Sequence, residues 1–286
     1  MKFEPIDTRR AINGVEIVVT EWGGDGDTIF FGHPTGFFGK IWKPVIDRLR
    51  IGGFEGRIIT FDQRGQGMSS KHDNDYSWDE MGNDTAELVD ELDLRDAVGV
   101  GHSAGATFVA LAAARRPGRF RRLVLIDPIL LGSMSVSSRR SGGNSSMAKR
   151  TRTRRLVYDT RRQMFDAYRN RGPYATWTDE ALNVYVDLGT FERPDGTVEL
   201  LCPGRIEAQL YEGANGVDPV AEFDRLDIPV LLAIPDGTDV FRAALRKKTL
   251  DALPNGRFLE FANATHFVPM EQPDVVAGVL LAECKA

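Results

Sequence analysis

Val98-Gly99-Val100-Gly101-His102-Ser103-Ala104-Gly105-Ala106 decides how this chain is read. A short apolar run reaches Gly-x-Ser-x-Gly, and Thr107-Phe108-Val109-Ala110-Leu111-Ala112-Ala113-Ala114 then has the composition of a helix. A strand that turns sharply at one strained serine and leaves as a helix is the context a nucleophile elbow requires. Gly101 and Gly105 remove side chains where strand and helix crowd together, and the turn pushes the Ser103 hydroxyl outward. The motif alone is a weak pattern. Its weight comes from the strand before it, the helix after it and partners elsewhere in the chain.

Working outward, apolar runs end repeatedly in polar loops. Thr28–Phe31 runs into Gly32-His33-Pro34-Thr35-Gly36-Phe37, and Gly56–Phe61 runs into Asp62-Gln63-Arg64-Gly65-Gln66-Gly67-Met68-Ser69. Arg122–Ile126 ends at Asp127-Pro128, Ile228–Ile234 at Pro235-Asp236, and Gly256–Phe261 leads to Thr265-His266-Phe267. Ile12–Trp22 alternates apolar and polar residues, as an amphipathic strand near a sheet edge does. Helices are predicted at Trp42–Leu49, Thr85–Leu92, Arg242–Leu253 and Asp274–Cys284. Strands alternating with helices at this spacing predict an α/β fold with a mostly parallel, doubly wound sheet. Its ligand crevice lies at the carboxyl ends of the strands. His33, Asp62, Ser103 and Asp127 all fall there.

The alternation stops near Leu131 and resumes at Ile228, which divides the chain into a core (1–130 and 228–286) and a lid or cap insertion (131–227). The insertion shows no clear buried strand, and helical patches are predicted at Thr153–Arg169 and Asp179–Asp187. Ser133–Arg171 holds eleven Lys/Arg against two Asp/Glu, a local charge of +9 in a chain of net −5. Such a run reads either as a solvated face or as a field attracting an anionic substrate. The Ser-rich portion, Ser133–Ser146, reads as mobile.

The 286 residues, 42% of them hydrophobic, suffice for one large domain with a sizeable core. A net charge of −5 gives no reason to expect nucleic acid or a membrane surface. No run approaches the roughly 18 apolar residues of a membrane span. Met1–Asp7 has no apolar h-region, so no secretory signal is expected. Cys202 and Cys284 stand in no metal or redox spacing, which fits a reduced, cytoplasmic setting. The four histidines make no ligand pair, so neither metal nor cofactor is expected.

A serine hydroxyl needs a base within hydrogen-bond reach, oriented by a third group. His266, on the loop after the last strand, is that base. Asp127 and Asp239 both satisfy the chain order serine, acid, histidine, and spacing alone leaves the choice open. The oxyanion of acyl transfer needs two preset N–H donors. One is Ala104, the residue after the serine; the other comes from Thr35, Gly36 or Phe37, because Pro34 has no N–H, with Thr35 preferred. His33 reads as a brace of its loop with a possible substrate contact, and His102 as packed beside the elbow. Asp62 reads as a loop ion pair with Arg64. Gly36, Phe37, His33, His102 and Trp177 are the candidate substrate-binding positions. Phe37, Phe38, Trp42, Tyr158, Phe165, Tyr168, Trp177 and Tyr185 each read first as core residues; taken together as the lining of an apolar pocket, they favour a moderately hydrophobic small molecule.

These motifs together resemble the α/β-hydrolase superfamily, across Ile12–Leu130 and Ile228–Cys284. More narrowly the chain looks like esterase- or lipase-like serine hydrolases whose oxyanion loop reads His-x-Thr-Gly-Phe and whose strand after the elbow ends in acid-Pro-Ile. Asp127-Pro128-Ile129 matches that ending. The resemblance implies Asp127 as the acid, since Pro235 stands where the commoner Gly-x-x-Asp spacing has glycine and Asp239 falls one residue late. Similar dehalogenases and epoxide hydrolases use an aspartate nucleophile, and this chain has Ser103. The resemblance therefore implies cleavage of a carboxylic ester, lactone or related acyl compound through an acyl-enzyme. A C–C bond hydrolase with the same three residues, and a non-catalytic receptor on the same fold, are the alternatives. A homodimer is left open.

Overall fold

The computed structural model describes residues 3–72, 75–130, 143–215, 217–239 and 243–285. Its frame is an eight-stranded sheet in the order β1-β2-β4-β3-β5-β6-β10-β11. The strands are β1 (Ile6–Ile12), β2 (Val15–Glu21), β3 (Thr28–Gly32), β4 (Arg57–Phe61), β5 (Ala97–His102), β6 (Phe120–Ile126), β10 (Val230–Pro235) and β11 (Gly256–Phe261). From β4 to β11 every pairing is parallel, while β1 and β2 join as an antiparallel hairpin and β2 runs antiparallel to β4. β5 and β6 are buried along most or all of their length, which explains their apolar sequences.

The chain goes from β3 outward to β4 and then returns to place β5 on the other side of β3. This reversal opens the crevice in which ligands of such sheets sit. Gly32 pairs with Gly101 in register, so the loop after β3 and the turn after β5 leave the sheet side by side. Helices α1 (Lys43–Ile51) and α10 (Pro273–Lys285) pack together, and α2 (Trp78–Glu91) packs on α3 (Ala104–Arg115). Two apolar clusters, one built around Ile29, Phe31, Val98 and Val124 and one around Phe30, Ile59, Leu123 and Leu125, occupy opposite faces of the sheet.

Two elements differ from the sequence reading. The first strand begins at Ile6, not Ile12, and turns through Asn13-Gly14, both with positive φ. As an edge strand it buries only Ile12, so it carries no apolar face to read. Helix α2 starts at Trp78, where the Ser77 hydroxyl accepts the Glu80 N–H, well before Thr85.

Between β6 and β10 lie α4 (Gly143–Thr153), α5 (Arg161–Tyr168), α6 (Asp179–Leu188) and α7 (Gly204–Glu212). They are joined by a small antiparallel sheet, β7 (Val157–Tyr158), β9 (Val198–Leu200) and β8 (Thr190–Glu192). The expectation of a strandless insertion with one helix over Thr153–Arg169 is thus corrected. Strands of two or three residues are too short to show a period. Residues 133–142, most of the Ser-rich stretch read as mobile, lie outside the described residues, and its end opens α4. α6 packs on the helical turn Gly39–Trp42, on α1 and on the short helix α9 (Val268–Glu271). The insertion therefore rests against the loops that follow β3 and β11. Among the described residues no helix is long and apolar enough to cross a membrane.

Candidate active site

Ser103 sits between β5 and α3 at φ 57°, ψ −124°, a conformation that side chains rarely adopt. The close approach requires both flanking glycines. A Cβ on Gly101 would lie 2.3 Å from Ala106 Cα, and one on Gly105 would lie 2.4 Å from the Gly32 carbonyl carbon. The Ser103 N–H donates to the Ile126 carbonyl at 3.0 Å, tying the elbow to β6. Ala104 opens α3, so its N–H has no acceptor one turn earlier and is available beside the serine.

His266 reaches Ser103 from the loop after β11. Asp236 accepts the Asn263 and Ala264 N–H groups at 2.8 and 3.1 Å, and Glu271 accepts that of Thr265 at 2.8 Å. His102 Nε2 donates to the His266 carbonyl at 2.6 Å. Held this way, His266 places Nε2 3.0 Å from Ser103 Oγ and Nδ1 2.7 Å from Asp127 Oδ2. An ionised carboxylate only accepts, so Nδ1 carries the proton and Nε2 presents its lone pair to the serine hydroxyl. That line of three groups can take the proton from Ser103 and stabilise the imidazolium that results.

Asp127 follows β6 with φ 40° and is fully buried. Its N–H donates to the Ala233 carbonyl at 3.0 Å, and Thr238 Oγ1 donates to its Oδ2 at 2.6 Å. Oδ1 is buried with no hydrogen-bond partner among the described residues. Asp239, the other candidate acid, is exposed on the loop after β10. The structure does not bring it to the imidazole; its neighbour Thr238 meets Asp127 from that loop instead.

The loop after β3 is held by a rack of amides. Gly36, at φ 86°, donates to Gln66 Oε1 at 2.6 Å, and the Phe37 N–H donates to the Pro34 carbonyl at 3.3 Å. Of the three N–H groups weighed from sequence, that leaves Thr35's for a ligand. Gln66 Nε2 donates to Gln63 Oε1 at 2.9 Å, and Gln63 Nε2 to the His33 carbonyl at 2.5 Å. The Gln63 N–H donates to His33 Nε2 at 3.0 Å, so the proton sits on Nδ1, 2.8 Å from the Pro34 carbonyl. Both ring nitrogens are therefore used and the ring is wholly buried, which removes His33 as a substrate contact. Burial pushes its pKa down to about 4. Sequence reasoning missed Gln63 and Gln66; two glutamines three apart at a strand end were the available signal.

Asp62 does not pair with Arg64. Its oxygens accept the Gly39 and Met68 N–H groups, both at 2.6 Å, while Arg64 forks onto Asp84 at 2.6 and 2.7 Å. His102 is also fully buried, its ring 4.9 Å from that of His266, and burial holds it neutral. It props the histidine loop through its bond to the His266 carbonyl. Phe37 and Trp177 are buried as well, their rings 5.8 Å apart and both close to Tyr185 and Phe267. They belong to an aromatic core that joins the insertion to the β3 and β11 loops. Gly36 touches that insertion directly, since a Cβ there would lie 2.6 Å from Glu207 Oε1. Among the described residues no cluster of His, Cys, Asp and Glu could hold a metal ion.

Known proteins resemble the chain along its whole length. It is 26% identical over 298 residues to a non-heme chloroperoxidase of Streptomyces lividans, covering 96% of this chain and 98% of that one. It is 24% identical over 284 residues to a bifunctional esterase/perhydrolase of Acinetobacter calcoaceticus, covering 94% and 96%. The crystal structure of an E-2-(acetamidomethylene)succinate hydrolase superposes with a TM-score of 0.83 at 23% identity, over 99% of this chain and all of that one. With the sheet order, the elbow and a family model matched from residue 29 to residue 279, the chain is a hydrolase of the alpha/beta hydrolase family.

Proposed function

We propose that the chain is a serine hydrolase that cleaves a small carboxylic ester, lactone or related acyl compound through an acyl-enzyme on Ser103. The observation that carries this reading is the unbroken line Ser103 Oγ–His266 Nε2–Asp127 Oδ2, at 3.0 and 2.7 Å between neighbouring partners. Ser103 Oγ attacks the acyl carbon while His266 Nε2 takes its proton, and the oxyanion settles on the Ala104 and Thr35 N–H groups. The bond to the leaving oxygen breaks as Nε2 returns the proton to it. Water, deprotonated by the same nitrogen, then attacks the acyl carbon; the acid leaves and Ser103 recovers its proton. Asp127 keeps the imidazole in the working tautomer and stabilises its cation, with Thr238 steadying the carboxylate. The insertion 131–227 acts as the lid over this reaction. The Acinetobacter calcoaceticus relative is named an esterase/perhydrolase, which agrees with an acyl-enzyme.

The test is hydrolysis of short p-nitrophenyl esters by wild type and Ser103→Ala, followed from the first turnover. An initial burst of p-nitrophenol in wild type and loss of turnover by several powers of ten in the variant are expected. Equal turnover in both would overturn the proposal.

A further inference from the structure

Under the insertion, Arg154 Nη2 lies 2.6 Å from Glu207 Oε2 and donates to the Cys202 carbonyl at 3.3 Å. Glu207 is buried and presses on Gly36, next in the chain to Thr35. The pair thus stands over the loop proposed to receive the oxyanion. Tyr174 and Tyr185 neighbour the guanidinium, and Tyr211 Oη donates to Glu207 Oε1 at 3.4 Å.

Arg154 is half-buried, with 20% of its side chain accessible, and Tyr174 is half-buried beside it. Among the described residues Arg154 Nη1 has no acceptor, so Glu207 neutralises the charge but leaves part of the donor fork unused. A planar guanidinium with free N–H groups is matched best by a carboxylate. Tyr174 accepts a hydrogen bond from Tyr185, and burial raises its pKa, so its hydroxyl stays protonated and can donate to an anion. Around them, Lys149–Arg171 carries nine Lys/Arg against two Asp/Glu, a field that draws anions in.

We propose that the substrate bears a free carboxylate besides its scissile acyl group, and that Arg154 with the neighbouring Tyr174 hydroxyl reads it. This rests on the acyl-transfer reading of Ser103. The test compares the monomethyl and dimethyl esters of succinic, glutaric and adipic acids, which differ only in whether the far end is a carboxylate. In wild type, kcat/KM for the monomethyl ester should exceed that for the dimethyl ester by about tenfold or more for at least one diacid. In Arg154→Gln/Glu207→Gln, which removes the pair without stranding either charge, that ratio should fall to near one. The ratio is the readout because a general folding defect lowers both rates together. A wild-type ratio of one or less for all three diacids, or a preference that survives in the double variant, overturns the proposal. Turnover of p-nitrophenyl esters with none of the six methyl esters also counts against it. Should no ester of either kind turn over, the acyl-transfer reading fails instead, and calorimetry with glutarate decides the carboxylate site. Binding that weakens about tenfold or more in the double variant supports the site, and equal or absent binding overturns it.

Discussion

Replacing Asp127 by Asn changes one oxygen to an amide and should nearly silence the enzyme. Asp127 Oδ2 accepts from His266 Nδ1 at 2.7 Å and from Thr238 Oγ1 at 2.6 Å, so an amide oxygen must take that place to keep both bonds. The amide nitrogen then falls at Oδ1, a buried position with no partner among the described residues. An unpaired buried donor costs about 1–3 kcal/mol. Flipping the amide relieves Oδ1 but makes the side chain donate to Nδ1, which moves the imidazole proton to Nε2 and removes the base. Either arrangement fails to stabilise the imidazolium. The loss should be about 10³–10⁴ in kcat, equivalent to about 4–5.5 kcal/mol of barrier. KM should change little, because the carboxylate touches no substrate. The assay is steady-state hydrolysis of a p-nitrophenyl ester by Asp127→Asn and Asp239→Asn in parallel. The exposed Asp239 should give a variant within about threefold of wild type, as surface substitutions do. Retention of a tenth or more of kcat in Asp127→Asn, or a large loss in Asp239→Asn, would refute the reasoning.

Gln66→Ala removes the acceptor of the Gly36 N–H and the partner of Gln63. We expect kcat to fall about 10–100-fold with a smaller change in KM, since one oxyanion donor is worth about 10²–10³ and here it is only misplaced. Gly105→Ala would put a methyl group 2.4 Å from backbone at Gly32, and thermal unfolding should show a loss of about 1–3 kcal/mol or more. Stability should also fall with acid. His33 titrates at about 4 when folded against about 6.5 when unfolded, so below pH 6.5 the unfolded chain binds the extra proton. Denaturant titrations between pH 7 and pH 4 should show about 3 kcal/mol of stability lost from this group. His102 acts in the same direction. His33→Gln should flatten that slope.

The parts of the site that were legible are those fixed by neighbours in sequence. The elbow requires Gly101, Ser103 and Gly105 within five residues, and Pro34 cannot donate, so the serine and the short list of loop donors could be named. Asp127 against Asp239 was a different kind of question. Which carboxylate reaches His266 depends on how far the β6 and β10 ends stand from the β11 loop, and on the positive φ that turns Asp127 inward. Only the familiar spacing of similar chains tilted that choice. His33 as a brace and His102 as packed beside the elbow were readable from their places in the loops, but the substrate role also given to them, to Phe37 and to Trp177 was not excluded there, because a residue type does not reveal burial. Gln63, Gln66 and the Arg154–Glu207 pair escaped notice because their partners lie on other loops or far along the chain. β1 and the small sheet of the insertion escaped because a strand buried at one residue, or two residues long, has no pattern to find.

The central claim is that Ser103 becomes acylated, and intact-mass measurement after acid quench reads this directly. Wild type mixed with a p-nitrophenyl ester and quenched within the burst should gain the mass of one acyl group, mapped by peptide digestion to Ser103. Ser103→Ala should gain none. Turnover without an adduct, or an adduct on another residue, would contradict the account.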